Sequence, residues 1–194
     1  MKISLRIIIG IIPVLWTACV IPVNNHKVPN FYLLLSKPDD AYKSNSNGEI
    51  SFYIEEVRLA QYLQDERLIA RPEDEIIEFR ENERWGEPLE LGIGRVVGQN
   101  LSDLLGTLNY GFFPQRKKFD FKNEVEITVE RFERVSTNKV YIKAFWEIQS
   151  EKSGVQRHVF DQEIPLTNGG VREEIRALSL ALSQLTIQIA DKFQ

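Results

Sequence analysis

The chain has 194 residues, 43% hydrophobic and 27% charged, close to the averages of globular domains, so one folded domain with a real core is implied and a multidomain machine or wholesale disorder is excluded. A formal net charge of −4 argues against a polyanion-binding surface and so against nucleic acid as a partner. One cysteine and two histidines are too few for a structural zinc site or an intrachain disulfide.

Lys2 and Arg6 form a short basic start, and Ile7 to Ile12 with Val14, Leu15 and Trp16 form an apolar stretch interrupted by Gly10 and Pro13. This is a signal-peptide pattern, about ten residues of apolar run against the roughly twenty a helix needs to cross a bilayer. Leu15-Trp16-Thr17-Ala18-Cys19 reads as a lipobox, with cleavage after Ala18 and acylation of Cys19; Trp16 stands where leucine is usual. The bland alternative is that Cys19 is an ordinary thiol at the end of a plain secretory signal or an uncleaved anchor. Three acyl chains, at about 0.8 kcal/mol per buried methylene, make an anchor that hardly leaves the membrane. Val20 rather than aspartate follows the cysteine, which favours the outer membrane. Loss of residues 1–18 takes Lys2 and Arg6 with it, leaving 22 basic against 28 acidic residues and a balance of −6.

Residues 19–30, with two prolines and several polar side chains, read as an acylated tether. Residues 31–194 follow as a single periplasmic domain. A first strand is predicted over Phe31 to Leu35, and the Ser/Asn-rich stretch 43–48 as a surface loop. Ile50 to Glu55 alternates Ile50, Phe52 and Ile54 against Ser51, Tyr53 and Glu55, a strand with one buried face. Leu68 to Arg71 and Glu75 to Arg80 read as a hairpin turning at Pro72-Glu73-Asp74. From Glu87 to Thr107 the apolar residues recur at three and four, which is helical, although Gly92, Gly94 and Gly98 each weaken an isolated helix by about 1 kcal/mol. Strands Glu124 to Val135, Lys139 to Gln149 and Val155 to Ile164 form a meander, and a last helix runs from Val171 along a stripe ending at Ile189 and Phe193. The implied class is α+β: a mainly antiparallel sheet with two main helices packed on one face.

Several pieces in this order carry a resemblance: Asn30-Phe31-Tyr32-Leu33-Leu34 soon after Cys19, Val57 with Tyr62-Leu63, Leu68-Ile69-Ala70-Arg71, Ile76 and Phe79, Arg84-Trp85-Gly86-Glu87-Pro88-Leu89, Val125 to Phe132, Trp146, and the helix from Ala177 to Ala190. The chain resembles the ABC-type transport auxiliary lipoprotein family, which includes the PqiC-like and YmbA-like lipoproteins of Gram-negative bacteria. The basic linker Arg116 to Asn123 has no counterpart in that pattern. The resemblance implies a non-enzymatic accessory without a cofactor, the outer-membrane partner of an MCE-type intermembrane lipid transport system that docks an inner-membrane MCE-domain protein spanning the periplasm. Copies of the chain acting together as a homo-oligomer belong to the same expectation.

The chemistry-bearing candidates are few. Gly92-Ile93-Gly94-Arg95-Val96-Val97-Gly98 lacks the spacing of a dinucleotide-binding loop. No serine sits in a Gly-x-Ser-x-Gly elbow, and Glu73, Asp74 and Glu75 read as solvated charge at a turn. Tyr62, Leu63 and Trp85 either fill the core or form an aromatic patch for a partner. Tyr110-Gly111-Phe112-Phe113-Pro114 is a second aromatic segment that must bury itself, touch membrane or meet a partner. Two rival functions remain at this stage: a monomeric periplasmic lipid carrier, which needs an apolar cavity beneath the helices, and an envelope hydrolase, which needs a convergent polar site.

Overall fold

The computed structural model describes residues 27–36, 50–115, 120–150 and 153–193. The lipobox with Ala18 and Cys19, the tether as far as residue 26, the Ser/Asn-rich loop and residues 116–119 of the basic linker lie outside the described residues.

Nine strands and two α-helices occur among the described residues: β1 (Asn30–Tyr32), β2 (Phe52–Ile54), β3 (Arg58–Leu59), β4 (Arg67–Glu73), β5 (Ile76–Trp85), α1 (Leu89–Leu105), β6 (Tyr110–Phe112), β7 (Asn123–Ser136), β8 (Lys139–Ser150), β9 (Gly154–Pro165) and α2 (Val171–Ala190). A 3-10 turn at Gln61–Gln64 links β3 to β4. The meander β7-β8-β9 follows the alternation of its sequence, with Val125, Ile127, Val129, Val140, Ile142, Ala144, Trp146 and Ile148 all buried and successive strands antiparallel over their full length.

The sheet is mixed, not mainly antiparallel. The long strand β7 is antiparallel to β8 on one edge. Its other edge is shared by three short segments in turn, all parallel: β2 beside Asn123 to Val125, β3 beside Thr128 and Val129, and β4 at Arg134. β1 is parallel to β5, and β6 to β2. Parallel neighbours are joined by long crossovers rather than tight turns, so nothing local in the sequence marks them.

β2 also departs from the expected half-buried strand: Phe52, Tyr53 and Ile54 are all buried. It has neighbours on both edges, and Tyr53 is covered by Phe121, ring centroids 5.5 Å apart, while its hydroxyl donates to the Gln115 carbonyl at 2.6 Å. β5 runs on to Trp85, well past the expected hairpin end at Arg80.

α1 starts directly after Pro88, a residue preset for a helix start, and stops at Gly106, whose φ of 62° is the left-handed position that glycine takes without steric cost. Gly98 lies inside this helix, where an added Cβ would stand 3.3 Å from the Phe112 ring, so the absence of a side chain sets the closeness of α1 to β6. α1 and α2 pack on one another and on the sheet, and Ile93, Val96, Val97, Leu101, Leu178, Leu182 and Leu185 are sealed from solvent between them. After β1 the chain crosses both helices: the Leu35 N–H donates to Ser179 Oγ at 3.0 Å and the Ser36 hydroxyl to Asn100 Oδ1 at 2.7 Å.

Candidate functional site

The 3-10 turn between β3 and β4 places Tyr62 and Leu63 in different surroundings. Leu63 belongs to the core, whereas Tyr62 is half-buried against it. The Tyr62 hydroxyl lies 2.9 Å from Glu133 Oε2 and 3.0 Å from the Glu130 carbonyl oxygen, so its one proton serves one acceptor at a time. Glu133 on β7 is 1% exposed. Its carboxylate also accepts from the Phe132 backbone N–H at 2.7 Å and from Arg131 Nε, and Arg71 Nε stands 3.5 Å away. The Arg71 guanidinium lies over the Tyr62 ring at 4.9 Å, and that of Arg131 over Tyr141 at 4.8 Å.

Two cations thus answer one buried carboxylate, and each is stacked on a tyrosine. Burial and the negative charge of Glu133 both push the Tyr62 hydroxyl well above its ordinary value. It stays a neutral donor at physiological pH, a clamp between the turn and β7 rather than a base or nucleophile.

Trp85, at the end of β5, is 8% exposed and meets Phe132 with ring centroids 6.3 Å apart. Of the three residues singled out in the sequence, Tyr62 therefore keeps accessible surface while Leu63 and Trp85 face inward. The second aromatic segment forms β6 and closes on its neighbours: Tyr110 stacks on Phe52 at 5.5 Å, and Phe52 meets Phe193 edge-on at 5.8 Å.

The sequence did not single out Glu133 or the arginines around it. The signal was present in Arg131-Phe132-Glu133-Arg134, an acid between two arginines in the middle of a long strand. A register irregularity between Val129 and Arg131 shifts the alternation there, which hides that signal from a period-two reading. A second buried carboxylate, Glu174 in the first turn of α2, accepts from Arg80 of β5 at 2.7 Å and lies 3.5 Å from Arg134 of β7. Arg134 also donates to the carbonyls of Ser136, Thr137 and Gly169, so the start of α2 is tied to two strands. Both carboxylates are engaged by arginines in ties between elements, an arrangement suited to holding a shape.

On β9, His158 stacks on Trp146 at 4.3 Å, and neither His158 Nε2 nor Trp146 Nε1 has a hydrogen-bond partner among the described residues. Burial, helped by Lys192, holds the His158 imidazole below its ordinary value. Below about pH 6.5 the unfolded chain takes up a proton that the folded chain resists, so this contribution is complete above that pH and is lost as pH falls toward the depressed native value. Denaturation of wild type and His158→Gln across about pH 5 to 7 is expected to show stability falling faster with acid in the wild type. Equal slopes would mean that the ring is solvated in solution.

The end of the tether and the segment after it present Val28, Phe31, Leu33 and Leu35 to solvent, Phe31 at 62%, while Tyr32 and Leu34 turn inward. This apolar row lies next to β5, with Phe31 opposite Arg84.

A family model described as an ABC-type transport auxiliary lipoprotein component matches residues 32–190. A crystal structure of an uncharacterized protein aligns over 87% of this chain and 100% of its own, with a TM-score of 0.72 and 19% identity. A second, from Xanthomonas campestris and assigned to the DUF330 family, aligns over 84% of this chain and 91% of its own, with a TM-score of 0.62 and 15% identity. At these identities the likeness is one of fold. No curated protein matches the chain significantly.

Proposed function

Since the chain belongs to the family of ABC-type transport auxiliary lipoprotein components, we propose that it is a non-enzymatic accessory of an MCE-type intermembrane lipid transport system. In this reading acylated Cys19 anchors it in the outer membrane, the domain sits on the periplasmic face, and its surface docks the periplasm-spanning MCE-domain protein of the inner membrane. The mechanism is positional. About ten tether residues give a typical reach of roughly 15–20 Å, enough to hold the domain clear of the headgroups.

The observation that carries the reading is the family match over nearly the whole folded domain. The geometry supports it in two ways. Buried carboxylates held by arginines make a rigid body suited to docking, and partner contact at Tyr62 would be backed by the inward-facing Leu63 and Trp85. The rival lipid-carrier reading needs apolar room beneath the helices, where Ile93, Val97, Leu101, Leu182 and Leu185 close the space.

Affinity isolation of the full-length lipoprotein from detergent-solubilised envelopes tests the proposal. The wild type is expected to bring down an MCE-domain protein, and a folded Tyr62→Ala variant to recover much less. Equal recovery by both would keep the transport role and move the contact away from Tyr62. Isolation of the wild type without any MCE-domain protein would sink the transport reading.

A further inference from the structure

Between the start of β1 and Ser36 the side chains alternate: Phe31, Leu33 and Leu35 point to solvent, and Tyr32 and Leu34 pack inward. With Val28 they put four large apolar side chains on the surface within eight residues, a cluster rather than the scattered single residues that any surface carries. Hydrogen bonds hold this orientation. The Gly86 N–H donates to the Tyr32 carbonyl at 2.8 Å, Arg95 Nη2 to the Leu34 carbonyl at 3.1 Å, and the Leu35 N–H to Ser179 Oγ at 3.0 Å. Turning Phe31 or Leu33 inward would break these bonds and bring Leu34, 3% exposed, into water.

The ridge is also set apart by its charge. Lys27 is the one charged residue from 27 to 36. Other exposed apolar side chains have ions beside them: the Arg67 guanidinium lies 4.6 Å over the Phe79 ring, Lys143 Nζ stands 5.3 Å from that of Phe145, and Val159 falls between Arg157 and Asp161 on its face of β9. A ridge without a carboxylate can leave water without burying an unanswered charge. Lys27, at its end, can keep its stem on the apolar side and its ammonium among phosphates.

We propose that this ridge seats itself in the headgroup layer of the membrane that holds Cys19. Seating depends on the acylated anchor of the proposed function and adds a face of the folded domain to it. Nine residues carry the chain from Cys19 to Val28, a typical span of roughly 15–18 Å for a flexible chain and about 30 Å at full stretch. Of the described residues, the ridge is therefore what the tether delivers first to the bilayer. Anchoring also converts a weak contact into an intramolecular one, so a ridge too small to draw the domain from solution suffices once Cys19 is in the leaflet. The tether is long enough for the domain to stand clear of the headgroups, and the ridge decides which side meets them when the domain comes down. On a flexible tether alone the domain presents every side to the periplasm; seated on its ridge it presents one.

The test uses the full-length lipoprotein in vesicles of phosphatidylethanolamine and phosphatidylglycerol. Flotation with the vesicles reports the anchor. A nitroxide attached at Phe31→Cys or Leu33→Cys reports the ridge, and one at Val159→Cys, on β9 and separated from β1 by four strands, is the control. Oxygen concentrates in the bilayer and a polar nickel complex in water. For a ridge seated roughly 5–10 Å into the boundary between headgroups and acyl chains, the ratio of oxygen to nickel accessibility is expected to exceed that of the control by about fivefold or more. Adding Phe31→Asp to the Leu33→Cys variant puts a charge in the ridge. It is expected to return the ratio to the control value and to leave the melting temperature unchanged, because Phe31 is exposed. Floating protein whose ridge labels are as wet as the control overturns the ridge and leaves the anchor standing. Labels shielded from both oxygen and nickel lie against protein, which also overturns the membrane contact. Protein that does not float, with its Cys19 thiol free, overturns the anchor, and the ridge falls with it.

Discussion

Replacing Glu133 by alanine is expected to destabilise the domain by about 3–5 kcal/mol, the range for breaking a buried ion pair by removing one partner. The size follows from what is left behind. The Phe132 N–H and Arg131 Nε lose their carboxylate, and Arg71, whose Nε already has no hydrogen-bond partner among the described residues, loses the charge 3.5 Å away. Tyr62 retains the Glu130 carbonyl as acceptor, so Tyr62→Phe removes less and is expected to cost only about 0.5–1.5 kcal/mol. Chemical denaturation of both variants and of the double variant checks this. In the double variant Tyr62→Phe should add little, because its partner is already gone. A loss under about 1 kcal/mol for Glu133→Ala would mean that water replaces the carboxylate readily and that the seam is open in solution.

Trp85→Ala is expected to cost about 3–5 kcal/mol, as for other truncations of large buried aromatics. In a domain of this size that corresponds to a fall of roughly 6–20 °C in the melting temperature. Trp85 closes the core at the end of β5 against Phe132, and its loss leaves a cavity that surrounding side chains fill only in part. A melting scan beside a binding assay divides the two roles open to this residue. A stability loss of the stated size marks a core residue. Unchanged melting with lost partner binding would instead mark a surface contact and require that Trp85 turn outward in solution.

The elements built from local pattern were legible. The period-two runs of β7, β8 and β9 and the period-3.6 stripes of α1 and α2 appear where the sequence placed them, because one buried face forces one apolar periodicity. Pro88 and Gly106 bound α1 for reasons of backbone conformation alone. What was not legible depends on distant partners. β3 has two residues and β6 three, too short to show a period; β3 exists because the long β7 offers it an edge, and β6 because β2 does. Tyr53 alternated as a surface residue and is buried because Phe121 folds over it.

The candidate site divides along the same line. Tyr62, Leu63 and Trp85 were recognisable as unusual from their aromatic and apolar character, but which of them faces solvent depends on a turn whose two sides meet different neighbours. Glu133 and Glu174 look like surface carboxylates in the sequence; Glu133 is met by Arg131 of its own strand and by Arg71 from β4, and Glu174 by Arg80 and Arg134 from strands far along the chain.

By itself, then, the sequence determined the lipobox reading, the α+β class, the order of the main elements and the family resemblance, since each rests on composition or on spacings within about twenty residues. Tertiary structure alone decided the mixed order of the sheet and the pairing of the buried carboxylates with arginines of other elements. Those features are contacts between residues tens of positions apart, and a contact of that kind is stabilised by burial and charge that no single segment contains.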